Sequence, residues 1–128
     1  AWYHATKHAI EGWSDCLRLE LKQFNIDVVV LEPGMIQTEF YDVLYEPFKE
    51  LSKNGGYKDL ANNCLSETEK KPMPASPPSV IAKTVSKAIN AKKPKTRYVA
   101  GKMAKPLMFI RRWFGDRVYD KAIMSQIK

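Results

Sequence analysis

Residues 26–33, IDVVVLEP, form an almost unbroken apolar, β-branched run. A segment of that length and composition reads as a β-strand buried on both faces, the kind found in parallel sheets. A Pro-Gly pair, Pro33 and Gly34, ends it. Such a strand needs covering layers, and the residues before it supply one. Trp2, Ala5, Ala9, Ile10, Trp13, Cys16, Leu17, Leu21 and Phe24 fall on one stripe of a helix, with His4, Glu11, Asp15, Arg18 and Lys22 opposite, which predicts an amphipathic helix over 2–24. Asn25 follows, where a helix C-terminus favours Gly or Asn.

Beyond Gly34 the pattern predicts one or two helices with loops over 41–71, a surface lid carrying Tyr41, Tyr45, Phe48 and Tyr57. A proline-rich connector, KPMPASPPSV, leads into the helical segment SVIAKTVSKAINAKK. Ser76 or Ser79 is its expected cap, and Val80, Ile81, Val85, Ala88 and Ile89 form its apolar face. TRYVAG is a second strand candidate, and amphipathic stretches surround KPLMFIRRWFG and DRVYDKAIMSQI. The order helix, strand, lid, helix, strand, helix indicates an α/β layered fold. The first residue is alanine and the helical pattern is under way within two residues, so the expectation is that the chain begins inside a longer protein.

Charge is unevenly distributed. Residues 1–69 hold 6 Lys/Arg against 12 Asp/Glu, whereas residues 70–128 hold 15 against 2. The basic half, residues 92–117 above all, mixes cations with aromatics and leaves open an alternative reading as a binding module for nucleic acid or an anionic membrane surface. No apolar run reaches the ~20 residues that a membrane span needs. Two cysteines, Cys16 and Cys64, have neither metal-ligand spacing nor the density of a disulfide framework, and an intracellular, cytoplasmic setting is the default. His4, His8 and Glu11 crowd one side of the first helix, but a polar outer face accounts for them and no metal is expected.

Tyr3 and Lys7 carry the chemistry. Four residues apart on a helix, their Cβ atoms are neighbours at roughly 5–6 Å. A phenol in water ionises only near pH ~10, and an ammonium held beside it favours the phenolate. A tyrosine so placed can pass a proton to or from a substrate oxygen. The spacing alone is common on helix surfaces; the residues that follow it give it meaning.

YHATKHAIEGWSDCLRLELKQFNIDVVVLEPGMIQTEF resembles the short-chain dehydrogenase/reductase family. The motif is Tyr-x-x-x-Lys, then Glu-Gly, Leu-Arg, Glu-Leu, a buried strand, Pro-Gly, and a threonine four beyond that glycine. The later segments are similar too, and the tail RRWFGDRVYDK resembles the hydroxysteroid and retinol dehydrogenase-like members. The resemblance implies that residues 1–128 are the C-terminal part of a single NAD(P)-binding domain, half of a Rossmann-type doubly wound parallel sheet with a helical substrate lid. It implies Tyr3 as the catalytic acid/base and Lys7 as its partner and the holder of the nicotinamide ribose. Pro33 and Gly34 would form the turn where open α/β sheets bind ligands, Ile36 would offer backbone groups to the carboxamide, and Thr38 a hydroxyl to the carboxamide or a phosphate. The cofactor would be NAD or NADP and the substrate a small-molecule alcohol or carbonyl compound. The helix over 2–24, with Trp13 and Glu20, would pair with its copy in a homodimer. The family's Gly-rich phosphate turn lies upstream of its catalytic tyrosine. The six glycines here, at 12, 34, 55, 56, 101 and 115, form no such cluster. The 128 residues alone are therefore expected to be inactive.

Overall fold

In a computed structural model of the chain, residues 2–51, 53–70 and 74–125 are described. Ser52, part of the proline-rich connector (71–73) and the last three residues of the tail lie outside them. Five helices and two strands follow one another as α1 (Trp2–Leu21), β1 (Val30–Pro33), α2 (Phe40–Leu51), α3 (Lys58–Lys70), α4 (Ser79–Ile89), β2 (Arg97–Ala100) and α5 (Ala104–Met124). The fold is α/β with a small parallel sheet. The chain divides into two compact units, one of residues 1–33 and 79–100, the other of residues 34–78 and 101–128.

The first unit holds α1, both strands and α4. β1 and β2 run parallel, with Val30 opposite Arg97 and Pro33 opposite Ala100, and the Val30 N–H extends the ladder to the Thr96 carbonyl at 2.9 Å. The strand is shorter than the apolar run that predicts it. Residues 26–29 have no partner strand among the described residues, and in β1 only Val30 is buried. A ladder extends only as far as its neighbour reaches. α1 ends as its sequence predicts: a 3-10 turn, Lys22–Phe24, closes on Asn25, whose φ of 57° lets its N–H bond the Lys22 carbonyl at 3.1 Å.

The buried side of α1 differs from the one its apolar stripe predicts. Trp2, Ile10 and Trp13 are exposed, while Ser14 is the helix's buried residue. Asp15 and Arg18, expected on the outer face, are half-buried. On that side Arg97 of the neighbouring strand reaches α1 and pairs with Asp15 at 2.7 Å, while Leu17 and Leu21 of the stripe are half-buried. In α4, Ala88 is buried and Val80, Ile81 and Val85 are half-buried, but Ile89, at the helix end, is 76% exposed.

The second unit contains α2 and α3, which fall in the segment expected to form the lid, together with α5. Its organising contact is between backbones. Gly34 has no room for a side chain: a Cβ there would sit inside the van der Waals shell of the Lys102 carbonyl oxygen and 2.9 Å from Ala104. The Met35 N–H donates to that same carbonyl at 3.0 Å. Ser76 straps the two stretches together. Its N–H donates to the Met35 carbonyl at 2.8 Å, its carbonyl accepts from the Gln37 N–H at 2.8 Å, and its hydroxyl accepts from the Lys102 N–H at 3.0 Å. Ser76 is thus a buried strap and not a helix cap. α5 is broken at Gly115, where φ 74° and ψ 178° interrupt the helix, as the two amphipathic stretches in the sequence lead one to expect.

Two glycine substitutions separate close packing from open space. Gly34→Ala must displace the Lys102 backbone and is expected to cost about 3 kcal/mol. Gly12 has nothing within 4 Å of its Cβ position, so Gly12→Ala should instead raise stability by roughly 0.5–1 kcal/mol through helix propensity. Chemical denaturation checks both. A loss of stability in Gly12→Ala would place a partner helix against that glycine.

Candidate active site

Tyr3 and Lys7 stand in the first two turns of α1, and helical spacing brings them together as expected. The Lys7 ammonium lies over the Tyr3 ring, 5.3 Å from its centroid, and the His4 ring meets the same tyrosine edge-on at 5.6 Å. Steps of four and seven residues put Tyr3 and Lys7 on the line that continues through Ser14 and Arg18, the side of α1 that Arg97 engages farther along. Tyr3 is 54% exposed, so a substrate oxygen can reach its hydroxyl.

Pro33 closes β1 in the same unit, at the carboxyl end of a parallel strand. Glu32, just before it, is a charge within the apolar strand and a feature the sequence reading passed over. Its Oε1 pairs with the Arg97 Nε at 3.2 Å, while Oε2 is buried without a hydrogen-bond partner among the described residues. Burial, and secondarily the negative charge of Glu11, pushes the Glu32 carboxyl above its ordinary range against the opposing pull of Arg97. Asp15 is shifted the other way. Hydrogen bonds from Arg97 and then Arg18 hold it below the usual carboxylate range, and Asp15 in turn raises Arg97. One guanidinium therefore joins α1, β1 and β2.

Gly34, Ile36 and Thr38 belong to the second unit. The need for glycine at 34 comes from the chain's own backbone at Lys102. Between Met35, whose N–H and C=O bond Lys102 and Ser76, and Gln37, whose N–H bonds Ser76, the Ile36 N–H and C=O make no hydrogen bond among the described residues. A donor and an acceptor on one residue, both open, match a primary carboxamide, so this stretch fits the nicotinamide end of a dinucleotide. The Thr38 hydroxyl accepts a long bond of 3.4 Å from the Phe40 N–H at the start of α2.

Ile36 and Thr38 also edge a cavity of about 520 Å³ between the 35–38 stretch and helices α2 and α3, with Leu44, Tyr45, Phe48 and Leu65 giving it a predominantly apolar wall. Of the aromatic residues expected over the pocket, Tyr45 and Phe48 line it. Tyr57 points to solvent, and the Tyr41 side chain lies outside the described residues. Cys64 and Thr68 of α3 contribute to the wall, which the sequence did not indicate.

The family model for short chain dehydrogenases matches residues 1–47, a stretch that takes in all six candidate residues. Similar curated proteins include the NADPH-dependent 3-dehydrocapnine reductase of Ornithobacterium rhinotracheale, 34% identical over 98% of this chain and 44% of its own length. The uncharacterized oxidoreductase YbbO of Escherichia coli K12 is 32% identical over 96% of this chain and 41% of its own. The 3-ketodihydrosphingosine reductase of Bacteroides thetaiotaomicron is 29% identical over 95% and 45%. The chain therefore spans under half the length of these relatives.

The two carboxylates predict opposite pH dependences. Asp15 contributes stability that is complete above its unfolded value of ~3.9 and lost as pH falls through its lower folded value. Glu32 binds its proton more tightly when folded, so its ionisation costs stability as pH rises from ~4.3 through its raised folded value. Asp15→Asn should flatten the acid limb of a stability–pH profile measured by urea denaturation. Glu32→Gln should remove the fall above ~4.3. An unchanged acid limb in Asp15→Asn would exclude the Arg97 pairing.

Proposed function

This chain belongs to the short-chain dehydrogenase/reductase family, and on that premise we propose that it carries the proton-transfer and nicotinamide end of an NAD(P)-dependent oxidoreductase. The reaction interconverts an alcohol with a ketone or aldehyde. The observation that carries this reading is the Tyr3–Lys7 pair, exposed at the start of α1 with the ammonium against the phenol ring.

In this reading the Tyr3 hydroxyl gives its proton to the carbonyl oxygen during reduction, leaving a phenolate, and the phenolate takes the alcohol's proton during oxidation. Lys7 adds positive charge beside that oxygen and holds the nicotinamide ribose. A nicotinamide supplies or accepts the hydride when bound. The Ile36 N–H and C=O would hold its carboxamide, with the Thr38 hydroxyl and the Pro33–Gly34 turn as further contacts. Preorganised groups of this kind lower the barrier by removing the need to orient the reactants. The apolar cavity beside Ile36 takes the rest of the substrate, which we read as a bulky, largely apolar alcohol or ketone. Its lining supports this, as do relatives named for 3-dehydrocapnine and 3-ketodihydrosphingosine. Pairing of two copies through α1, where Trp2, Ile10, Trp13 and Leu19 are exposed, completes the proposal.

In the natural-length protein, Tyr3→Phe keeps the ring and removes the proton. Turnover should fall about 10²–10⁴-fold with cofactor affinity nearly unchanged, as single-turnover kinetics would reveal. Lys7→Ala should lose both rate and cofactor affinity. Phe48→Ala should raise KM for an apolar ketone on the order of tenfold while sparing kcat. A Tyr3→Phe enzyme that retains most of its turnover removes the catalytic reading. The 128-residue polypeptide by itself, with no glycine cluster to cradle a pyrophosphate, should bind neither dinucleotide; micromolar affinity in a calorimetric titration would contradict that.

A further inference from the structure

We propose that the first arm of α5, residues 104–114, is a peripheral docking surface for an anionic phospholipid bilayer. Its sequence, AKPLMFIRRWF, places Leu107, Phe109, Ile110, Trp113 and Phe114 on one stripe and Lys105, Arg111 and Arg112 on the other side. The stripe is not packed away: Phe109 is 56%, Trp113 70% and Phe114 58% exposed. Their rings form a cluster, with Phe109 centred 6.2 Å from Trp113 and 6.2 Å from Phe114. Gly115 breaks the helix immediately after this cluster, so the aromatic stripe stops there.

Charge decides the occupant. The arm contains no acidic residue. Arg111 is turned toward the second arm, with its Nε 3.4 Å from Asp116 and its guanidinium over the Tyr119 ring. Among the described residues Lys105 and Arg112 form no ion pair. Exposed aromatics beside unneutralised cations are the pattern of a helix lying in a membrane interface, where rings enter the acyl boundary and the cations stay among anionic headgroups. Leu107 and Ile110 of the same stripe are half-buried, so the surface offered is the ring cluster with its cations. The exposed apolar face of α1 fits a bilayer less well, because Glu11, Asp15 and Glu20 would face the same headgroups. No helix of the described residues is long and apolar enough to cross a membrane, and the proposed contact is one that lies on the surface.

Vesicle cosedimentation of the natural-length protein, without cofactor, tests this independently of the oxidoreductase reading. Vesicles of phosphatidylcholine mixed with phosphatidylserine should carry the protein down, phosphatidylcholine alone at least about tenfold less well, and added salt should release it. Phe109→Ser/Trp113→Ser should lower binding to the mixed vesicles by about tenfold or more, and Lys105→Glu/Arg112→Glu should abolish the preference for phosphatidylserine. Neither pair touches the proposed catalytic groups. Absence of binding to the mixed vesicles overturns the proposal, as does equal binding by the aromatic variant. So does binding to a single-stranded oligonucleotide without vesicle binding, or a dimer that Phe109→Ser dissociates in protein that ignores vesicles. If the aromatic variant proves unfolded by circular dichroism, the lipid and salt comparison on the unaltered protein and the charge-reversal pair decide.

Discussion

The close approach of Gly34 to the Lys102 carbonyl fixes the arrangement of the proposed nicotinamide end. With no side chain at 34, the stretches 34–37 and 101–104 come within backbone hydrogen-bonding distance, and Ser76 ties both with three bonds. Met35 spends both its backbone groups there and Gln37 its N–H, and Ile36, between them, keeps a donor and an acceptor open. The geometry that would hold a carboxamide is thus a by-product of how two loops are fastened. It follows from the rule that buried backbone groups must be paired, with the exceptions marking places where something else can bind.

Electrostatics plays the corresponding part in the first unit. Arg97 pairs with Asp15 on α1 and Glu32 on β1. The two carboxylates shift in opposite directions: hydrogen bonds from Arg97 and Arg18 lower Asp15, and burial raises Glu32 against the pull of Arg97. Surface ion pairs contribute little by themselves. This one marks the side of α1 that faces the strand, and Tyr3 and Lys7 lie on the same side two turns earlier.

The proposed chemistry draws on a proton donor on a helix of the first unit and, in the second unit, on a backbone clamp with an apolar cavity beside it. Each part uses a different physical resource. The tyrosine relies on a neighbouring cation, the clamp on orphaned backbone groups, and the cavity on apolar walls contributed by α2 and α3. The proposed bilayer contact of α5 is a separate resource, exposed rings beside cations unpaired among the described residues.

What the sequence determined by itself is whatever depends on short, fixed spacings. Tyr3 and Lys7 meet because four residues are one helical turn, Asn25 ends α1 because it tolerates a left-handed backbone, and Gly115 divides α5 because it adopts a conformation other residues avoid. The helices α2 and α3, strand candidates and the parallel α/β class were legible for the same reason. Only the tertiary structure decided where β1 starts, since an apolar run becomes a strand only opposite a partner, and here β2 begins at Arg97. It likewise turned Ser76 from an expected cap into a strap. It also shifted the covered face of α1 from the stripe's centre to Leu17, Leu21, Ser14, Asp15 and Arg18; Arg97 stands 82 residues from Asp15 in the chain, and no local periodicity carries such a pairing.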